Sequence, residues 1–286
     1  MVVRARDVEV ESLVERISDD LVRVATTRPA NEGMRVLVHH YDTIQKIRIA
    51  AGNAAQAFVK SGRPASYASW LASELQKLEN ALVRVMTSWI ADYPVSEWAL
   101  SQFGVGPITV AALLAHLDVE RCRTAGSVWR YCGLDPTLTW GKGEKRPYNA
   151  RLKRACFNLG ESFRMHHKSP ECYYGQIYAA RKAYEQAKNE RGDYAEQARA
   201  KLASGRRWTA NQRFYLERGM LTPAHIDARA RRYAVKMFLS HFAWVYWETE
   251  RGEPWPLPFP IARLGHIDVI EPPGYTPLAR RNGGRS

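Results

Sequence analysis

The sequence predicts an all-α protein, and three observations carry that prediction. Apolar residues recur mostly at intervals of three, four and seven; period-two alternation is scarce; and the periodic stretches end at stop signals such as SGRP at 61–64, Pro94, Gly133 and Gly252. From Met34 to Lys60 the positions Leu37, Tyr41, Ile44 and Ala51 fit one helix or a bent pair. From Ala65 to Tyr93 the series Leu71, Leu75, Leu78, Leu82, Val85, Trp89 writes a heptad seam flanked by Glu74, Lys77, Glu79 and Arg84. Two readings of that helix stay open: it packs into its own domain, or the 71–89 seam joins two copies in a homo-oligomer.

Pro94 stops the seam helix, and VSEWALSQF makes a short helix before the corner GVGPITVAALLA at 104–115. Thr124 is positioned to cap AGSVWRYC, and Gly133 closes it. The prolines and glycines of LDPTLTWGKGEKRPYN require a loop. Helical spacing resumes through Leu152, Cys156, Leu159 and Phe163. Tyr173 to Glu190 reads as a charged surface helix whose Tyr174, Ile177, Tyr178 and Tyr184 pack the fold rather than stack on bases, and RGDYAEQARAKLASG reads as a shorter helix after it. Thr222 caps a long helix with Pro223 at its first position, expected to end at Arg251 and Gly252. The chain beyond Gly252 is rich in proline, and its final Gly/Arg stretch has the composition of a mobile tail. The organisation expected is therefore a helical region over 1–93, a helix-hairpin-helix region over 94–170, a helical region over 171–252 and a basic, proline-rich tail over 253–286.

The chain of 286 residues carries 42 Lys plus Arg against 29 Asp plus Glu, a formal charge of +13, with 45% apolar and 11% aromatic residues. Such an excess favours a polyanion, and nucleic acid above a membrane surface, because the apolar residues are spread through the chain and not gathered on one basic helix. No membrane partner is expected. Cys122, Cys132, Cys156 and Cys172 form no C-x-x-C pair, which removes zinc-knuckle and redox motifs and fits reduced cysteines. The opening residues carry acidic groups and no apolar core of a signal peptide, so the expected location is the cytoplasm. Adjacent histidines, His39-His40 and His166-His167, diverge by about 100 degrees on a helix and have no acidic or cysteine partner at i+4, so no metal site is expected. No phosphate loop, dinucleotide fingerprint, nucleophile elbow or zinc-protease motif is present.

The glycine corner carries chemistry. Gly104 and Gly106 permit backbone shapes closed to other residues and leave room at the amides, while Pro107 begins a helix whose first N–H groups and dipole face the same point. The expected product is a helix-hairpin-helix site for one DNA phosphate, made by the backbone from Gly104 through Val105, Gly106 and Ile108 to Thr109. Such a contact positions a duplex without reading bases. Trp98, Leu100 and Phe103 before the corner, and Val110, Ala111, Leu113 and Leu114 after it, supply the apolar faces of two packed helices.

From Phe103 to about Phe163, the order FGVGPITVAALLAHLD, SVWRYCGLDP, KGEKRPYNARLKRACFNLGESF resembles the C-terminal domain of the RuvC-like DEDD insertion-sequence transposases. In that family a GIGP-type hairpin, a Y-x-GLdP segment and a Lys-Arg-Gly/Asn-x-x-Leu-Arg segment follow one another in this order. The resemblance implies nucleic-acid binding through this segment. It also implies an N-terminal nuclease fold holding magnesium, whereas residues 1–100 here read as helices with no strand bearing an early Asp, so the expectation is a grip without the nuclease half. The family's nucleophilic serine lies in a Ser-Gly step after GLdP; here Thr139, Trp140 and Gly141 follow, which leaves Thr139 as the candidate hydroxyl.

Between Trp140 and Lys168 the basic residues Lys142, Lys145, Arg146, Arg151, Lys153, Arg154, Arg164 and Lys168 face only Glu144 and Glu161. Lys142, Lys145, Arg146, Asn149, Arg151 and Arg154 are therefore the expected nucleic-acid contacts beside the hairpin. Trp140 and Tyr148 either stack on a base or pack the loop. A second basic cluster, Arg229, Arg231, Arg232 and Lys236, is partly structural, since Asp227 can pair with Arg231 at i+4. The leading expectation is a DNA-binding protein without a cofactor. The alternatives are a recombinase using a hydroxyl nucleophile, with Mg2+ as its cofactor, and a structured-RNA-binding or assembly protein.

Overall fold

The computed structural model describes residues 31–119, 122–255 and 270–278. The opening residues to 30 and the basic end at 279–286 lie outside the described residues. Among the described residues there are helices and no strand, as the spacing predicts: α1 (Asn31–Lys60), α2 (Ser66–Ile90), α3 (Pro94–Ser101), α4 (Pro107–His116), α5 (Ala125–Tyr131), α6 (Ala150–Met165), α7 (Tyr173–Glu190), α8 (Ala195–Ala203), α9 (Ala210–Glu217) and α10 (Pro223–Arg251). They fall into two compact units, residues 1–100 with 106–117 and residues 101–105 with 118–286.

In the first unit, α1 is one continuous helix about 45 Å long. Gly62, at φ +67, closes the turn that folds α2 back along α1. The reversal shows in the pairs: Arg48 Nε meets Glu79 Oε1 at 2.6 Å, and the Tyr93 hydroxyl faces Asn31 Oδ1 at 3.5 Å. Glu79 is nearly fully buried, and Arg48 is its counter-charge. α4 is apolar on all sides and lies where α1 begins and α2 ends, with Arg35 Nε donating to the Ala115 carbonyl at 2.5 Å. The heptad seam divides accordingly. Leu82, Val85 and Trp89, at the end of α2 that α4 covers, are buried, while Leu71, Leu75 and Leu78 are half-buried.

In the second unit, α10 is the central rod against which α5, α6 and α7 pack. Its ends match the sequence signals, with the Thr222 hydroxyl oxygen accepting from His225 N, Pro223 at the first position and left-handed Gly252 after the last. The core is aromatic. Phe163 stacks on Tyr174 at 5.1 Å, and Phe238 stands edge-on to both. Gly175 lets α7 come this close, since a Cβ there would lie 2.8 Å from Cys172 Sγ and 2.9 Å from the His167 Cα. Glu248, itself buried, gathers the segments after α10 by accepting from Trp244 Nε1 (2.7 Å), the Trp255 amide (3.2 Å), the Tyr275 hydroxyl (3.1 Å) and the Leu278 amide (2.8 Å). The spacing does not predict α9, which Thr209 and Gln212 begin with a reciprocal capping box.

Two histidines of this unit make its stability sensitive to pH. His241 donates from Nε2 to the Ile270 carbonyl at 2.9 Å and accepts at Nδ1 from the Tyr174 hydroxyl at 2.8 Å. Burial lowers its pKa from 6.5 to about 4, and burial beside Lys201 does the same for His225. In the unfolded chain both histidines take up protons near pH 6.5, whereas the folded chain resists until about 4, so stability is lost as pH falls through that window. The melting temperature is expected to decline steadily from pH 7 to 4.5, and less steeply in His225→Gln. A profile flat across that range contradicts this.

Candidate nucleic-acid interface

The two glycines of the corner do different things. Gly104 is left-handed at φ +92, and its carbonyl accepts from Ser162 Oγ at 2.7 Å. A Cβ there would stand 3.0 Å from that oxygen. Gly106 is extended, at φ −105 and ψ 166, a shape any residue adopts, so the expectation that both positions need glycine for conformation is corrected. What Gly106 supplies is room, since an added Cβ would meet nothing within 4 Å.

The amides also divide. Val105 donates to the Gln102 carbonyl at 3.0 Å and its side chain is buried, so this position shapes the bend and offers no open donor. Thr109 and Val110 both donate to the Gly106 carbonyl, at 3.0 and 3.2 Å. Pro107 has no N–H. The open donors at the start of α4, among the described residues, are therefore the Gly106 and Ile108 amides, which precede the first intrahelical bond at an N-cap with no side chain to satisfy them. Gly104→Ala is expected to cost about 1–3 kcal/mol in urea unfolding. Gly106→Ala should change stability by less than about 0.5 kcal/mol. Equal losses from the two contradict this division.

The basic loop is framed by its own helix ends. Thr124 and Ser127 form a capping box at the start of α5, and Gly133, at φ +69, ends it. Asn149, expected among the nucleic-acid contacts, caps α6, with Oδ1 accepting from the Arg151 and Leu152 amides at 3.0 and 3.2 Å. Its backbone N–H donates to the Tyr131 carbonyl at 2.9 Å, which ties the end of the loop to α5. Between these anchors Lys142, Lys145 and Arg146 are exposed, as is Arg151 in the first turn of α6, and none of the four has a carboxylate partner among the described residues. Glu144, exposed on the same loop, accepts from the Gly141 amide at 2.6 Å. Arg154 is half-buried and has interactions within the protein. Arg164 pairs with Glu161 at 2.7 Å. Gly104 bonds to Ser162 near the far end of α6, and the eleven-residue step from Arg151 to Ser162 spans about 16 Å along the helix. Gly104 and Arg151 therefore stand toward opposite ends of α6.

The second basic cluster is largely internal. Arg229 meets Glu185 at 2.7 Å; Arg231 meets Asp227 at 2.9 Å, as its i+4 spacing predicts, and also pairs with Glu161. Lys236 lies over the Trp129 ring at 4.8 Å. Tyr174 and Tyr178 are buried, as packing residues should be.

Thr139 is exposed on the loop and makes no hydrogen bond among the described residues. The hydroxyl that does have a carboxylate is Thr137, whose Oγ1 donates to Asp135 Oδ1 at 2.7 Å and whose amide donates at 2.9 Å. These bonds, the backbone one foremost, hold the Asp135 carboxyl below the usual carboxylate range, which makes it a poor general base. The geometry is that of a turn.

Residues 97–169 match the model of the Transposase IS116/IS110/IS902 family. The matched stretch runs from α3 through the glycine corner, the basic loop and α6, and so relates this segment to transposases. No curated protein and no solved structure matches the chain. No described helix is long and apolar enough to cross a membrane.

Proposed function

We propose, taking the family match over 97–169 as premise, that this protein binds DNA through its phosphate backbone and does so as a grip, not as a strand-transfer enzyme. The observation that carries the reading is the set of exposed cations, Lys142, Lys145 and Arg146 on the loop and Arg151 in the first turn of α6, which stand without carboxylate partners among the described residues. Exposed cations normally sit among anions; a run of them left open is the footprint of a polyanion. Within the other unit, the Ile108 amide with the clear space beside Gly106 is a second phosphate contact. Gly104, Val105 and Asn149 shape and cap the backbone, and Thr139, with no hydrogen-bond partner among the described residues, is a loop residue.

A competition panel tests the choice of nucleic acid. Labelled duplex DNA bound to the full chain at 100 mM salt should be displaced by unlabelled duplexes of unrelated sequence at similar concentrations, and only at much higher concentrations by hairpin RNA. Preferential displacement by hairpin RNA overturns the DNA reading.

A further inference from the structure

Beside the basic loop, wholly within the second unit, lies a cavity of about 420 Å³, a size suited to a small organic group. One wall comes from the loop and α6, and the other from α10, outside the family match. Trp140 is 45% exposed and stands edge-on to Tyr148, with centroids 5.4 Å apart. Tyr148 is fixed in place. Its ring lies against Gly133, where a Cβ would come within 2.8 Å, and Lys153 Nζ sits 4.4 Å above it. Trp140 has no comparable clamp among the described residues and presents a large aromatic surface to the opening.

The polar groups narrow the ligand. Arg232, on the α10 wall, is exposed and has no carboxylate partner among the described residues, unlike its neighbour Arg231. Asp135 also lines the cavity, with Oδ1 held by Thr137 and Oδ2 3.8 Å from Arg130. A bare anion is disfavoured by that carboxylate, and a wholly apolar ligand by the cations. A flat ring with an amino edge and an adjacent negative charge satisfies all three: the ring on Trp140, the amino group toward Asp135, the charge toward Arg232. A nucleotide with an unpaired base has those parts, and a base paired within a duplex cannot present its face to a protein cavity.

We propose that this cavity receives one unpaired nucleobase of the bound DNA, stacked on Trp140 with its phosphate against Arg232. The proposal rests on the DNA-binding reading above and adds to it a preference for DNA with an extrahelical or unpaired nucleotide. Loop cations bind any duplex; the cavity distinguishes a duplex that offers a base.

The test compares three labelled duplexes with the full chain at fixed salt: one perfectly paired, one with a single-nucleotide adenine bulge, and one with an abasic bulge of the same length. The base bulge should bind about tenfold tighter than either of the others. Trp140→Ala and Arg232→Gln should each abolish that preference while leaving perfect-duplex affinity within about twofold, and Trp140→Phe should keep most of it. Equal affinity for the base and abasic bulges overturns the proposal, because bulge flexibility then explains the binding. So does a preference that survives Trp140→Ala. If the perfect duplex binds with the expected salt dependence and the bulge adds nothing, only the cavity assignment fails; if no duplex binds, both readings fail.

Discussion

Replacing Lys142, Lys145, Arg146 and Arg151 together by alanine is expected to flatten the salt dependence of duplex binding by about 3.6 in the slope of log K against log salt, at about 0.9 for each phosphate contact removed. Between 50 and 200 mM salt, wild-type affinity should then fall about 150-fold more steeply than that of the variant. The effect is large because these side chains are exposed and have no internal carboxylate to return to when DNA is absent. For the same reason the fold should hardly notice, and the melting temperature is expected to stay within about 2 °C. Replacing Arg229 and Arg231 should give the opposite pattern, since both are engaged by carboxylates of the protein itself. Their loss should lower the melting temperature and leave the slope alone. Fluorescence anisotropy across a salt series reads the slopes, and a quadruple variant with the wild-type slope contradicts the assignment.

The largest stability effect is expected at Glu185. This carboxylate is 1% exposed and accepts hydrogen bonds from Arg181, Arg229 and the Tyr194 hydroxyl. Burial pushes its pKa up, but the bonds from Tyr194, Arg229 and Arg181 together outweigh burial and hold the group below its ordinary value. Glu185→Ala leaves two guanidinium groups and a phenol around a cavity without their shared acceptor, which costs about 3–5 kcal/mol. For a chain of this size that lowers the melting temperature by about 10 °C. Glu185→Gln keeps the shape and one acceptor oxygen, so a smaller loss is expected. Calorimetry separates the two, and an alanine variant that melts within about 3 °C of wild type contradicts the role given to this cluster.

Features governed by neighbours in the chain were legible in the sequence. Thr222, Pro223 and Gly252 mark the ends of α10, and Tyr173 to Glu190 is α7 as the spacing reads. The Asp227–Arg231 pair follows from one helical turn. α9 escaped because Leu216 is its only buried residue, so no apolar stripe announces it, although the capping box Thr209-x-x-Gln212 is written in the chain. Asn149 carried two compatible meanings, a helix cap and a polar neighbour of cations. The fold shows the cap. The two glycines of the corner look equivalent in sequence, and nothing local reveals that Gly104 must clear Ser162, 58 residues further on. The partner of Arg229 and the second partner of Arg231 were hidden because Glu185 and Glu161 lie 44 and 70 residues away. The cavity was invisible for the same reason, since α10 supplies a wall that the loop's own sequence does not mention.

The most direct measurement of whether open cations make this a phosphate-backbone binder is the affinity of the full wild-type chain for two duplexes of unrelated sequence across a salt series. The account predicts straight log–log plots of the same slope for both, at least as steep as about −3.6. A flat plot, or binding confined to one of the two sequences, contradicts it.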